Sequence, residues 1–323
     1  MGYLIGIDEA GYGPNLGPLV ISATVWEVPD GLSGEQLFEH LRQVVACAGE
    51  EADGRSGPRV IMADSKVLYT SGNGLRRLEL GLGAALGAIG HRPSRWRDVW
   101  QVLAPQSLTA IASAPWYADF DAAVPLDCEA AQVESLSTAL TAGLTAAGIR
   151  LATIRSRPIF EEEFNELVER YQSKGAALST ETLALAAGLV ESLPETPIEV
   201  ICDKHGGRNS YGQLLFECFP EWLVEVHGES RQRSTYRLGP PERRIEFTFR
   251  TKAEACLPVA LASMASKYLR ELAMRALNAY WCDRIPGLQP TAGYPQDAKR
   301  FRADIAETQR RLQIADRMLW RVK

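Results

Sequence analysis

An α/β fold is what this sequence predicts. Three observations carry the prediction. Short apolar, β-branched runs alternate with longer stretches whose apolar residues recur at helical spacing. No internal repeat or low-complexity tract interrupts the alternation. The 323 residues are 46% hydrophobic and 23% charged, a composition that excludes a disordered or membrane-spanning chain.

Taken in order, Tyr3 to Ile7 and Leu19 to Trp26 read as two strands joined by a glycine- and proline-rich turn, a hairpin opening a sheet. An amphipathic helix with Leu37, Leu41, Val44 and Val45 on one face follows, and then a polar segment, Gly49 to Gly57, which reads as a mobile loop. Gly72 to Gly90 has leucines at helical spacing among many glycines, whereas Pro93 to Pro125 is rich in tryptophan, proline and alanine without a clear period. Ala130 to Ala147 and Phe160 to Tyr171 read as helices, and Ser179 to Leu193 as another, capped by Ser179 or Thr180. Ile198 to Cys202, Trp222 to Val226 and Ile245 to Phe249 are further strands. A long helix from about Glu254 to Cys282 tolerates Pro258 only in its first turn. A last helix, Gln296 to Met318, closes the chain.

The net charge of −5 argues against coating nucleic acid by bulk electrostatics, but the basic residues are uneven. One group, Arg231 to Lys252, crowds the stretch between two strands and the end of the second, and another, Lys299 to Lys323, lies on the last helix and just after it. The six cysteines are scattered without zinc-ligand spacing. Met1 runs straight into an apolar stretch broken by acids, with no basic leader region, so a cytoplasmic protein without a membrane partner is expected.

Chemistry concentrates in acids at element ends: Asp8 and Glu9 after the first strand, Asp203 after a later one, and Glu254 at the start of the long helix. Carboxylates gathered at strand ends repel one another and raise each other's pKa unless a cation sits among them. Oxygen-only ligands favour Mg2+ or Mn2+, and two such ions can hydrolyse a phosphodiester. A single acid after a strand is more often a cap or turn residue, and Glu254 taken alone reads that way.

These residues carry a resemblance. Gly6-Ile7-Asp8-Glu9-Ala10-Gly11-Tyr12-Gly13-Pro14, with Gly17-Pro18-Leu19-Val20, resembles the opening motif of the ribonuclease HII (type 2 ribonuclease H) family. Asp64-Ser65-Lys66 with Leu68, the strand ending in Asp203, Lys252-Ala253-Glu254-Ala255 and Gly293-Tyr294 resemble its later motifs in the same order. The resemblance implies a ribonuclease H-like fold, a mixed central sheet flanked by helices with a C-terminal helical segment. It implies catalysis and metal binding by Asp8, Glu9, Asp203 and Glu254 with two Mg2+ or Mn2+ ions. The substrate would be an RNA·DNA hybrid or a ribonucleotide-containing duplex DNA, cut to leave a 3′-hydroxyl and a 5′-phosphate. Gly11, Tyr12 and Gly13 would lie near the ribose 2′-hydroxyl, Tyr294 would stack on the sugar, and Lys66 would approach a phosphate.

The chain departs from the family in three ways. Tyr12 stands where the glycine loop normally has arginine, and Glu254 replaces an aspartate. His205 and Arg208, in an insertion after Asp203, are candidates for phosphate contact, although a lone histidine in a glycine turn is more often simply exposed. A catalytic domain would then span 1–283, with insertions at about 27–63, 91–130 and 205–245, and 284–323 would pack on it as a helical segment. Two other readings compete: a catalytically weak ribonuclease H-like nucleic-acid-binding protein, and a phosphate-cradling nucleotide loop at Gly11 to Gly17. The latter is weakened by Asp8, Glu9 and Pro14.

Overall fold

The computed structural model describes residues 1–50, 58–69 and 74–322. The strands are β1 Gly2–Ala10, β2 Leu19–Val28, β3 Val45–Ala46, β4 Val60–Ile61, β5 Arg150–Ile159, β6 Ile198–Asp203, β7 Glu225–Glu229, β8 Arg233–Leu238 and β9 Ile245–Arg250. All but β3 and β4 form one sheet in the order β5-β2-β1-β6-β9-β8-β7. β1 runs antiparallel to β2 and parallel to β6, which runs parallel to β9. This is the mixed α/β sheet expected, with the hairpin extended to β5 on one side and to β6, β9, β8 and β7 on the other.

The helices are α1 Leu37–His40, α2 Ser65–Leu68, α3 Arg76–Ala88, α4 Trp96–Leu103, α5 Leu108–Ser113, α6 Pro115–Ala118, α7 Ala130–Ala146, α8 Glu161–Tyr171, α9 Lys174–Ser192, α10 Gly212–Cys218, α11 Leu257–Cys282, α12 Pro295–Arg311 and α13 Asp316–Leu319. Strand alternation divides the apolar residues into two layers. Tyr3, Ile5 and Ile7 of β1 pack with Leu183 and Val190 of α9, whereas Leu4 and Trp26 share a cluster with Leu257, Leu261 and Leu269 of α11. Phe301, Ile305 and Leu319, from α12 and α13, belong to that second cluster.

The contact that positions the site is α11 on β1. A Cβ on Gly6 would stand 2.2 Å from the carbonyl carbon of Pro258, so only glycine lets the first turn of α11 lie on the strand. Thr24 Oγ1 donates to Pro258 O at 2.8 Å and accepts from Trp26 Nε1 at 2.9 Å, which fixes that turn over the β1–β2 pair.

Several element boundaries differ from the sequence expectation. The helix around Leu37 is one turn long, and Val45 lies in β3 instead. Pro93 to Pro125, which has no clear period, holds α4 to α6, whose Trp96, Trp100 and Tyr117 pack as an aromatic cluster with Phe120 and Phe160. The third of the predicted helices starts at Lys174, not Ser179, with Ser173 Oγ accepting from Ala176 N. Ser179 is inside the helix and donates to Gly175 O. The strand near Trp222 is shifted to Glu225–Glu229, and the last helix breaks at Arg311 before the short α13. Most of the polar Gly49 to Gly57 segment lies outside the described residues. No described helix is long and apolar enough to cross a membrane.

Candidate active site

The β1–β6 register runs from Tyr3 opposite Ile198 to Ile7 opposite Cys202, so Asp8 and Asp203 follow one another at the same end of adjacent parallel strands. Their parity matches Leu4 and Ile201, which places both on the α11 face. Glu254 does not begin α11 but sits in a single 3-10 turn, Ala253–Ala255, just before it. Lys252 enters that turn at φ 58°, and Ala253 N donates to Asp203 Oδ1 at 3.5 Å, joining the turn to the end of β6.

The four acids perturb one another. Burial, Glu9 and Asp203 raise Asp8 well above the ordinary aspartate range, against a hydrogen bond from Ser263. Burial and Asp203 push Glu9 up to about 7, with Lys66 opposing. Asp203 and Glu254 are also raised, each chiefly by burial, and Asp203 adds to Glu254. Lys66 is drawn down by burial, but Asp64, Asp8, Glu254 and Asp203 outweigh that and leave it raised. Lys66 therefore faces the whole acidic set. Asp64 orients this lysine's segment, since its carboxylate caps α2 by accepting from Lys66 N at 3.0 Å.

Polar groups of α11 complete the wall behind Asp8. Ser266 Oγ donates to Asp8 O at 3.0 Å, and Ser263 Oγ lies 3.0 Å from Ser65 Oγ and 3.3 Å from Ser65 N. Among the described residues no three His, Cys, Asp or Glu side chains converge closely enough to hold a metal ion as they stand. The donor set nevertheless fits a hard divalent cation: all its ligand atoms are oxygens, and all four acids are held toward protonation without one.

No protein-family model and no curated protein matches the chain. Solved structures do align with it over most of its length. The PCNA:RNase HII complex from Archaeoglobus fulgidus is 13% identical, with a TM-score of 0.46, covering 99% of this chain and 94% of that one. The ribonuclease H2 from Pyrococcus horikoshii is 16% identical at a TM-score of 0.43, over 98% and 92% of the two chains. Bst-RNase HIII in complex with Mn2+ is 16% identical at 0.36, over 99% and 66%.

The remaining predicted residues fall in different surroundings. Tyr12 is partly buried, its phenol raised by burial and by Glu9. Its hydroxyl lies 3.6 Å and 3.8 Å from where Cβ atoms on Gly175 and Gly206 would stand, so the side chain spans from the start of α9 to the turn after Asp203. Gly13 is open, and Tyr294 is 53% exposed at the start of α12. Arg208 lies over the Tyr211 ring, 5.9 Å from its centroid.

His205 is neither exposed nor free for a phosphate. It is buried between Tyr211 and Phe249, with Nδ1 3.0 Å from Ser179 Oγ, and burial, aided by Arg208, pushes it down to about 3. Ser179, Tyr211 and Phe249 hold the ring inward, and the exposed part of the turn is Gly206 and Gly207, both at positive φ.

Three functional candidates escape the sequence reading. The loop from Gly11 to Gly17 rests on Arg321, Arg270 and Glu161, all buried. Arg321 donates to Gly11 O at 2.5 Å, to Pro14 O at 3.5 Å and to Gly17 O. Arg270 donates to Leu16 O at 3.4 Å and Ala292 O at 2.9 Å, and Glu161 accepts from Gly17 N at 2.7 Å. Local sequence has no signal for this grouping, because its members are brought together only by tertiary packing.

Proposed function

We propose that the chain is a metal-dependent endonuclease that hydrolyses the RNA strand of RNA·DNA hybrids, or the phosphodiester at a ribonucleotide embedded in duplex DNA, leaving a 3′-hydroxyl and a 5′-phosphate. The observation that carries this reading is the gathering of Asp8, Glu9, Asp203 and Glu254 at the ends of β1 and β6 and before α11, each raised by burial and three of them by another member. A site that disfavours its own ionisation is poised to exchange protons for divalent cations.

Asp8, Glu9, Asp203 and Glu254 would hold Mg2+ or Mn2+, two ions supplying an activated water and neutralisation of the leaving oxygen. Lys66, exposed beside these acids, attracts a substrate phosphate into the same field. Gly11, Tyr12 and Gly13 offer backbone within reach of a sugar edge, where the 2′-hydroxyl separates RNA from DNA. Tyr294 presents an exposed ring for a sugar to stack on, with Arg270 5.9 Å from its centroid. Arg208, over the Tyr211 ring after Asp203, is a further candidate for a phosphate contact.

The alternative of a catalytically weak nucleic-acid-binding relative draws on the lack of a tightly convergent acid trio among the described residues. One cleavage assay separates the two, comparing a long hybrid, a duplex with one ribonucleotide and an all-DNA duplex, each with Mg2+ and with Mn2+. Metal-dependent cutting confined to ribonucleotide-containing substrates is expected. Binding of all three without hydrolysis would favour the weak relative, and equal cutting of all three would remove the 2′-hydroxyl from the argument.

A further inference from the structure

We infer that Arg321, delivered by the C-terminal segment, is a positioning residue that orients the Tyr12 amide of the glycine loop and thereby sets discrimination between ribose and deoxyribose. The inference rests on the proposed function, because it assigns a task to the loop of that same site.

The argument begins with the peptide unit. In a trans peptide the carbonyl of one residue and the N–H of the next point in opposite directions. Arg321 is 4% exposed, and it donates to Gly11 O at 2.5 Å. The Gly11 carbonyl is therefore turned toward the interior, and the N–H of Tyr12 is turned away from it. Arg321 also donates to Pro14 O at 3.5 Å and to Gly17 O, so one guanidinium fixes both ends of the loop. A planar fork with several donors suits this task, whereas a single ammonium does not.

The clamp is doubly seated. Arg321 N donates to Asn15 O at 2.9 Å, adding a backbone contact to the same loop. Asn165 of α8 holds the tail from the other side, donating to Trp320 O at 2.8 Å and accepting from Val322 N at 2.7 Å. The Arg321 guanidinium lies 4.7 Å from the Phe164 ring centroid. Gly11 itself adopts φ 89°, and a Cβ there would stand 2.6 Å from Pro18 O and 2.8 Å from Arg270, so no side chain can replace the arrangement. Arg321, which follows α13, thus sets the direction of a donor in the loop between β1 and β2.

The test measures affinity in Ca2+ for a duplex containing one ribonucleotide and for the all-DNA duplex of the same sequence, using the full chain and Arg321→Met. The unaltered chain is expected to prefer the ribonucleotide. Arg321→Met should reduce that preference at least fivefold while leaving affinity for all-DNA duplex within twofold. Hydrogen exchange of residues 11–17 should accelerate at least tenfold in the same variant. Should Arg321→Met fail to fold, Asn165→Ala loosens the seat of the tail without altering the guanidinium and should move both readouts in the same direction. An unchanged preference in a folded variant overturns the inference. If the unaltered chain shows no preference, the loop has no such task and the inference fails, whereas the parent reading fails only if no ribonucleotide-containing substrate is cut in Mg2+ or Mn2+. Exchange then still reports separately whether Arg321 holds the loop.

Discussion

Two clusters of buried charge flank one glycine loop, and they are built on opposite logic. At the end of β1, burial raises Asp8, Glu9, Asp203 and Glu254, Asp203 raises the other three further, and exposed Lys66 opposes the shifts of Glu9, Asp203 and Glu254. Beneath the loop, Arg321 and Glu161 offset each other: burial pushes Arg321 down to about 9 and raises Glu161, while each opposes the shift of its partner. The first cluster leaves its charge uncompensated, whereas the second meets it through the Arg321–Glu161 pair and backbone bonds from the terminal guanidinium nitrogens, with Nε of Arg321 and of Arg270 left without a partner among the described residues. Uncompensated charge destabilises the chain alone and is useful only if something else binds there, whereas compensated charge holds structure.

Asp203→Asn probes this difference most strongly. Hydrolysis of an RNA·DNA hybrid in Mg2+ should fall by at least about 10³-fold, about 4 kcal/mol of barrier. In chelator the same variant should be as stable as the unaltered chain or more so, because a repelling charge has gone. Single-turnover cleavage and urea unfolding read the two effects. Retained hydrolysis would remove Asp203 from the catalytic set.

Glu161→Gln is expected to do the reverse. It removes the carboxylate that opposes a buried guanidinium, and breaking such a pair costs about 3 kcal/mol or more. Urea unfolding in chelator should show that loss. If Glu161→Gln is as harmless as Asp203→Asn, the two clusters are not built differently.

The pH dependence of stability sharpens the contrast. Glu9 is raised from the ordinary glutamate value of 4.5 to about 7, so between those values the folded state holds a proton that the unfolded state releases. Stability contributed by this proton is therefore present below pH 4.5 and lost as pH rises to about 7, by up to about 3 kcal/mol. His205 acts in the other sense: its folded value of about 3 lies below the ordinary 6.5, so its contribution is lost as pH falls through that window. Mg2+ should cancel the Glu9 loss but leave the His205 loss untouched. The difference between melts in Mg2+ and in chelator should thus widen from pH 5 to pH 8. A constant difference would separate Glu9 from the metal.

Sequence alone makes the acid cluster legible but not the clamp, for a physical reason. Asp8, Glu9 and the glycines are neighbours in the chain, and Asp203 and Glu254 mark element ends that apolar runs predict. Arg321 and Glu161 are 160 residues apart and look like ordinary charges on helical segments. The same distinction governs the fold. β1, β2, β6 and β9 are apolar runs, whereas β8 is hidden within an arginine-rich stretch whose Ser234, Tyr236 and Leu238 are buried on alternate positions. That period of two is visible once the arginines are read as its solvent face. β5 is masked differently, by Arg155, Ser156 and Arg157 in a strand that pairs only with β2. Ser173 rather than Ser179 caps α9, because the helix extends back through Gly175 and Ala176, and Ser179 and Thr180 are cap-type residues inside it.

The smallest effect is expected at Lys66. It is the cation of the acid cluster as Arg321 is of the clamp, yet it is exposed where Arg321 is buried. Water already screens an exposed charge, so Lys66→Met should alter stability in chelator by no more than about 0.5 kcal/mol. Its effect should appear in substrate affinity, as a weakening of RNA·DNA hybrid binding by about fivefold, about 1 kcal/mol, that fades as salt is raised. Fluorescence anisotropy at two ionic strengths measures this. A stability loss approaching that of Glu161→Gln would mean that Lys66 compensates the acids structurally, and the acid cluster would then differ from the clamp in degree only.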